Sequence, residues 1–120
     1  MPKGLRPITT YDVFNGAQTV TTAAAITSQP FDLREIAQDG LFSIDYSNAT
    51  SGGTLAITYT MCSHKNGTYF TPTGGGTIVS GLGTATGGLA FEPEMFPFIK
   101  IVVTENNVAA TNVTLYLNIQ

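Results

Sequence analysis

The chain has 120 residues, a length that can bury one hydrophobic core but not two, and 42% of its residues are apolar, which favours a folded domain over a disordered one. Charged residues make up 11% of it, against about 25% in a typical soluble domain. The net charge is −3 and the five basic residues are scattered along the sequence, so the composition predicts no nucleic-acid partner.

Uncharged polar residues must therefore cover most of the surface. Thr, Ser, Asn, Gln and Gly cost less than ions to desolvate when a partner covers them, which suits packing into an assembly. The alternative is that β-sheet surfaces are simply rich in Thr. No run of about 18 apolar residues could span a membrane, and the N-terminus lacks the apolar run of a secretory signal. Cys62 is the single cysteine, so no internal disulfide is possible, and we expect a cytoplasmic site of synthesis.

Residues 1–7 form a predicted N-terminal arm ahead of a single domain at residues 8–120. The arm contains two prolines, a glycine and the cations Lys3 and Arg6, so we expect it to stay out of the sheets. It would then lie across a neighbouring subunit or fray into solvent, and the sequence favours neither alternative.

The first part of the domain contains three strand patterns and one short turn. Weak strands are predicted at residues 8–14 and 18–26, and a clearer one at residues 41–47, where apolar and polar side chains alternate. Residues 32–38 are the best helical candidate, a single turn that Asp32 would cap.

The second part contains the clearest strands. Residues 54–61 and 112–119 alternate strictly between apolar and polar side chains, which indicates strands with one buried face. Residues 97–105 form a denser apolar run interrupted only by Lys100, which predicts a central strand buried on most of both faces.

Two irregular stretches separate these strands. Residues 71–88 are rich in glycine and residues 91–97 contain two prolines, so both are predicted to be long surface loops, with weak strands at residues 76–80 and 87–91. With about eight strands and no convincing helix, the chain is predicted to be an antiparallel, jelly-roll-like β-sandwich. A small β-barrel has the same alternation and stays open as an alternative.

The sequence contains few candidate residues for catalysis or metal binding. Cys62 and His64 are two residues apart and would share a strand face, as a nucleophilic pair requires, but no oxyanion hole or third group is visible. One histidine and one cysteine cannot complete a zinc site, and the densest acidic group lacks the spacing of a calcium loop. We therefore expect no enzyme activity, no metal and no cofactor, with His64 as a turn residue.

Aromatic residues in or beside the two long loops are the best interface candidates. An exposed ring there would stack on a sugar or anchor a protein contact, whereas packing in the core is the alternative for each ring. The candidate interface residues are Tyr69, Phe70, Phe91 and Phe96, together with Lys3 and Arg6 of the arm.

Four segments of the sequence follow one another in an order that resembles a known family. They are residues 28–33 (SQPFDL), 42–46 (FSIDY), 53–59 (GTLAITY) and 97–105 (PFIKIVVTE). Over residues 26–120 this layout resembles the small β-sandwich virion proteins of tailed bacteriophages, which include capsid decoration (cement) proteins and head or tail fibre domains.

The resemblance implies a protein that binds the major capsid protein on the outer surface of the expanded shell. It further implies a homo-oligomer, with a trimer expected first, located in the virion, and it offers no catalytic residues. Two other functions stay open. One is a carbohydrate-binding or adhesin module of a phage tail or fibre, and the other is an enzyme that uses Cys62 and His64.

Overall fold

A computed structural model describes residues 7–22, 24–48, 54–82, 85–106 and 110–120. Most of the predicted arm, with Lys3 and Arg6, lies outside these residues. Every regular element within them is a β-strand, which confirms the all-β prediction. The strands are β1 (Thr9–Asp12), β2 (Gln18–Thr21), β3 (Ile26–Thr27), β4 (Phe31–Asp32), β5 (Phe42–Asn48), β6 (Leu55–Cys62), β7 (Thr77–Leu82), β8 (Ala85–Phe91), β9 (Phe98–Glu105) and β10 (Ala110–Ile119).

The strands form two antiparallel sheets. The first sheet has the order β1-β10-β5-β8, and β2 also pairs with β10. The second sheet has the order β3-β9-β6-β7, and β4 also pairs with β9. Within the described ranges no ladder joins the two sheets, so the architecture is a sandwich and not a closed barrel.

Ten strand segments make eight strands, because each sheet has one interrupted edge. β1 and β2 pair with successive parts of β10, on the side opposite β5. Between them the chain bulges outward, with Asn15 and Gly16 at positive φ and the Gly16 amide donating to Asp12 Oδ1 at 3.0 Å. β3 and β4 share the edge of β9 in the same way. The sequence prediction of about eight strands counted β1 and β2 separately and did not include β4, so only the total agrees.

The strand order is that of a jelly roll. Consecutive strands repeatedly cross between the sheets, from β4 to β5, from β5 to β6, from β7 to β8 and from β9 to β10. Each strand therefore lies opposite a sequence neighbour, as in eight-stranded double Greek keys.

The core lies between the two inner faces. The alternating residues of β6 and β10 point inward as predicted, and the largest fully buried side chains include Ile57, Ile101 and Leu115. β9 is central, between β3 and β4 on one side and β6 on the other. Its outer residues Lys100 and Val102 are only half-buried. The prediction of a central strand is therefore confirmed, but the prediction that β9 is buried on most of both faces is wrong for its outer face.

The weak strands predicted at residues 76–80 and 87–91 are confirmed as β7 and β8, but the prediction that residues 71–88 form a long loop is wrong. β7 and β8 run through this stretch, because its glycines allow close strand packing. A Cβ on Gly87 would lie 3.0 Å from the Tyr46 hydroxyl of the paired strand, and Gly81 has a φ of 74° where the β6–β7 ladder is irregular. The candidate helix is one turn, closed by the Ala37 amide donating to the Leu33 carbonyl at 3.2 Å.

Ser28 holds the interrupted edge of the second sheet together. Its side chain is buried, and its amide donates to the Ile101 carbonyl at 2.8 Å. Its hydroxyl accepts from the Ile101 amide at 2.9 Å and donates to the Gln29 carbonyl at 2.8 Å. At the break between β3 and β4, the hydroxyl thus accepts the hydrogen bond that a carbonyl of a continuous strand would accept.

We predict that Ser28→Ala lowers the free energy of unfolding by about 1–3 kcal/mol, because the Ile101 amide loses its partner in a buried position. Urea denaturation measures the change. Ser43→Ala, on the half-exposed outer face of β5, is the matched control and should change stability by less than about 0.5 kcal/mol. Equal effects of the two substitutions would contradict the role of Ser28.

Candidate interaction surfaces

Three connections meet at one end of the sandwich, which we call the loop end. Residues 63–76 follow β6, residues 33–41 join β4 to β5, and residues 92–97 join β8 to β9. The pairing of Asp32 and Cys62 with Phe98 places these connections together, because all three positions are strand termini. The loop end contains the aromatic residues that the sequence singled out.

Phe70 and Phe96 form an aromatic pair at the loop end, in which Phe70 is exposed and Phe96 is half-buried against the core. Their ring centroids are 5.1 Å apart and the rings are nearly perpendicular. Reciprocal backbone hydrogen bonds of 2.9 and 3.0 Å tie Phe70 to Met61, which fixes the loop against β6. Phe70 is 42% exposed and Met95, the neighbour of Phe96, is 55% exposed. Phe70, Met95 and Phe96 are called the aromatic patch below.

Tyr69 and Phe91 lie in different surroundings. Phe91 is half-buried, with its ring centroid 5.6 Å from that of Phe42 and 6.1 Å from that of Tyr59, so it packs with the core. Tyr69 covers the outer face of the second sheet, where Lys100 Nζ lies 4.2 Å from its ring centroid. The four predicted aromatic residues therefore divide among three environments.

The three basic residues of the described ranges gather at one corner of the second sheet. Together with His64 they are called the basic corner: Arg34, His64, Lys65 and Lys100. The Tyr69 hydroxyl donates to the Lys65 carbonyl at 2.9 Å, while the Tyr69 ring contacts Lys100. Arg34 lies over the Phe98 ring, 5.1 Å from its centroid. A concavity of about 480 Å³ at this corner is lined by Arg34, His64 and Lys65 among others.

Asp32 and Arg34 form a bidentate ion pair at the basic corner. Arg34 Nε lies 3.0 Å from Asp32 Oδ1, and Nη2 lies 2.6 Å from Oδ2. The side-chain hydrogen bonds from Arg34, followed by the hydrogen bond from the Arg34 amide, lower the pKa of Asp32 to about 2. Desolvation opposes this shift, and the charges of Arg34 and Lys65 add to it. The pKa of Tyr69 is raised by burial and, second, by Cys62.

We predict that Arg34→Ala returns the pKa of Asp32 towards its ordinary value of 3.8, measured by NMR titration of the carboxyl group. In the wild type this carboxylate contributes stability that is present above pH 3.8 and is lost as the pH falls through about 2. Lys65→Ala, which removes only a distant charge, should shift the pKa less. An unchanged pKa in Arg34→Ala would rule out the pair as the main cause.

The outer face of the first sheet carries few charges. Strand register places Asp12, Tyr116 and Asp45 in one row across β1, β10 and β5. Neighbouring positions are occupied by uncharged polar side chains that bond to each other, as between Thr10 and Asn118 at 2.7 Å. This surface agrees with the sequence expectation that Thr, Ser and Asn replace charges.

Cys62 and His64 do contact each other, but through the His64 backbone. The His64 amide donates to Cys62 Sγ at 3.5 Å. The thiol is buried, and a Cβ on Gly67 would lie 2.6 Å from Sγ, so the following turn packs over it. Within the described ranges no three His, Cys, Asp or Glu side chains group as a metal site, and no helix is long and apolar enough to cross a membrane.

No family model and no curated protein matches the chain. Among solved structures, a chain of infectious bursal disease virus, Gt strain, matches 95% of this chain with a TM-score of 0.51 and 11% identity. A chain of the Gx strain of the same virus matches 95% with a TM-score of 0.48 and 13% identity. This chain spans about one third of the length of each. The likeness to the Gt-strain chain is one of fold, and neither structure comes from a tailed bacteriophage.

Proposed function

We propose that the chain is a structural virion protein, most specifically a capsid decoration protein that binds the outer surface of an expanded shell and stabilises it. The jelly-roll sandwich supports the coarser part of this proposal, because that fold is frequent among capsid proteins. The fold likeness to a chain in a structure of infectious bursal disease virus supports the same part.

The aromatic patch is the observation that carries the proposal. Phe70 is held rigidly by its backbone bonds to Met61, yet 42% of it faces solvent beside the exposed Met95. Aromatic anchors that lose little conformational entropy supply most of the binding energy in many protein interfaces. We propose that the loop end faces the shell and that the major capsid protein receives this patch.

The remaining parts of the proposal follow from the same contact role. The protein acts without catalysis or a cofactor, as a homo-oligomer with a trimer as the expected state. It is made in the host cytoplasm and resides in the virion on the capsid surface. The burial of the Cys62 thiol supports a binding role over a catalytic one, since a nucleophile must reach its substrate.

We predict that Phe70→Ser weakens shell binding about tenfold or more, because an anchor ring of a protein interface is lost. Co-sedimentation with expanded shells, assembled from the major capsid protein of the same genome, measures the change. Asn106→Ser changes an exposed side chain directly after β9, at the opposite end of the sandwich from the loop end, and it should bind as the wild type does. Circular dichroism checks that both variants are folded. Wild-type protein that stays in the supernatant would refute the proposal.

A carbohydrate-binding module is the second candidate. The exposed Phe70 ring supplies a stacking surface, and the concavity at the basic corner presents Asp32, Ser63 and His64 for hydrogen bonds to hydroxyl groups. A glycan array distinguishes the two functions. Saturable glycan binding that Phe70→Ser abolishes, without any binding to shells, would favour this module.

A further inference from the structure

The two outer faces of the sandwich carry charges of opposite sign. On the first sheet, the acidic row consists of Asp12 and Asp45 on either side of Tyr116. On the second sheet, the basic corner brings together the three basic residues of the described part of the chain. Only Arg34 among them is neutralised by an ion pair with a described acid, Asp32. Glu35 also lies near Arg34, so the unpaired positive charge of the basic corner comes, among the described residues, from Lys65 and Lys100, and it faces away from the two aspartates of the first sheet.

Both charged patches lie towards the loop end. Asp45 is three residues from the start of β5, which the connection of residues 33–41 precedes, and Lys100 is two residues from the start of β9. His64 and Lys65 lie in the connection that follows β6. Two copies placed side by side in the same orientation therefore bring the acidic row of one copy level with the basic corner of the next.

We propose that copies of this chain associate head to tail, with the acidic row of one subunit against the basic corner of its neighbour. This inference rests on the homo-oligomer in the proposed function and names the surfaces that form it. Because the two surfaces differ, the contact is heterologous, and repetition closes into a ring or continues as a filament. In a ring whose axis runs parallel to the strands, every subunit directs its loop end the same way, as a layer on a shell requires.

The acidic row is suited to being covered by a partner. Its neighbours Thr10 and Asn118 already bond to each other through their side chains, so little of their hydrogen bonding to water is lost. Tyr116 is 39% exposed at the centre of the row and supplies an aromatic anchor. Complementary charges then fix orientation and suppress wrong pairings.

The size of the face indicates that the contact is a small one. Four strands about 4.8 Å apart and seven residues of about 3.3 Å each give the first sheet an outer face of roughly 19 by 23 Å. A standard interface buries about 800 Å² on each partner, which is more than this flat area of roughly 440 Å². Loop residues must add to it, and we expect association at micromolar concentration.

Charge reversal on each face tests the inference. Asp45→Lys and Lys65→Glu should each raise the concentration at half-dissociation about tenfold or more, because like charges then meet. Size-exclusion chromatography with light scattering measures the mass. The double variant should recover the wild-type oligomer. A mixture of the two single variants should associate further than either variant alone, because each variant repels its own copies but presents charge opposite to that of the other variant at both contacts.

Controls separate this contact from other effects. Glu92→Lys makes the same change in charge as Asp45→Lys at an exposed position outside both patches, and it should keep the wild-type mass. Added salt should dissociate the wild-type oligomer without any substitution, so the test does not depend on a variant that folds. A wild type that stays monomeric at high micromolar concentration, or an oligomer that neither reversal alters, would overturn the inference. Shell binding is measured separately, so its loss would refute the proposed function and not this contact.

Discussion

The fold depends on the apolar contact between two inner sheet faces. No disulfide is available, so Ile44 and Leu115 of the first sheet and Ile57 and Ile101 of the second must hold the sheets together by burial. Each such side chain contributes about 1.5–3 kcal/mol when fully buried. Each sheet buries one face in this contact. Their other faces remain as the broad surfaces available to partners.

Strand alternation made the central strands predictable. β5, β6 and β10 each place apolar side chains at every second residue, and this period is a property of the local sequence. The edges were harder to predict, since the break between β3 and β4 is repaired by Ser28, a residue whose type does not indicate a buried hydrogen bond to a strand 73 positions away. The glycines near β7 and β8 predict a loop, although Gly87 lies in a strand and leaves room for the Tyr46 side chain. The sequence does not distinguish such a glycine from one in a flexible loop.

The candidate surfaces were only partly visible in the sequence. The aromatic residues near the long loops were identified, but their environments depend on register: Phe70 lies opposite Met61 and stays exposed, while Phe91 reaches Phe42 and packs with the core. The basic corner could not be predicted. Arg34, Lys65 and Lys100 are far apart in the chain, and only the pairing of β4, β6 and β9 brings them together.

These features support one picture of the protein in which each surface has a distinct use. The aromatic patch faces a shell, and the acidic row and the basic corner face neighbouring copies. The most direct test is an electron cryomicroscopy reconstruction of expanded shells incubated with the protein. The account predicts added density on the outer surface that fits this sandwich, with residues 63–76 and 92–97 against the shell. A bare shell, or density with the loop end pointing outward, would contradict it.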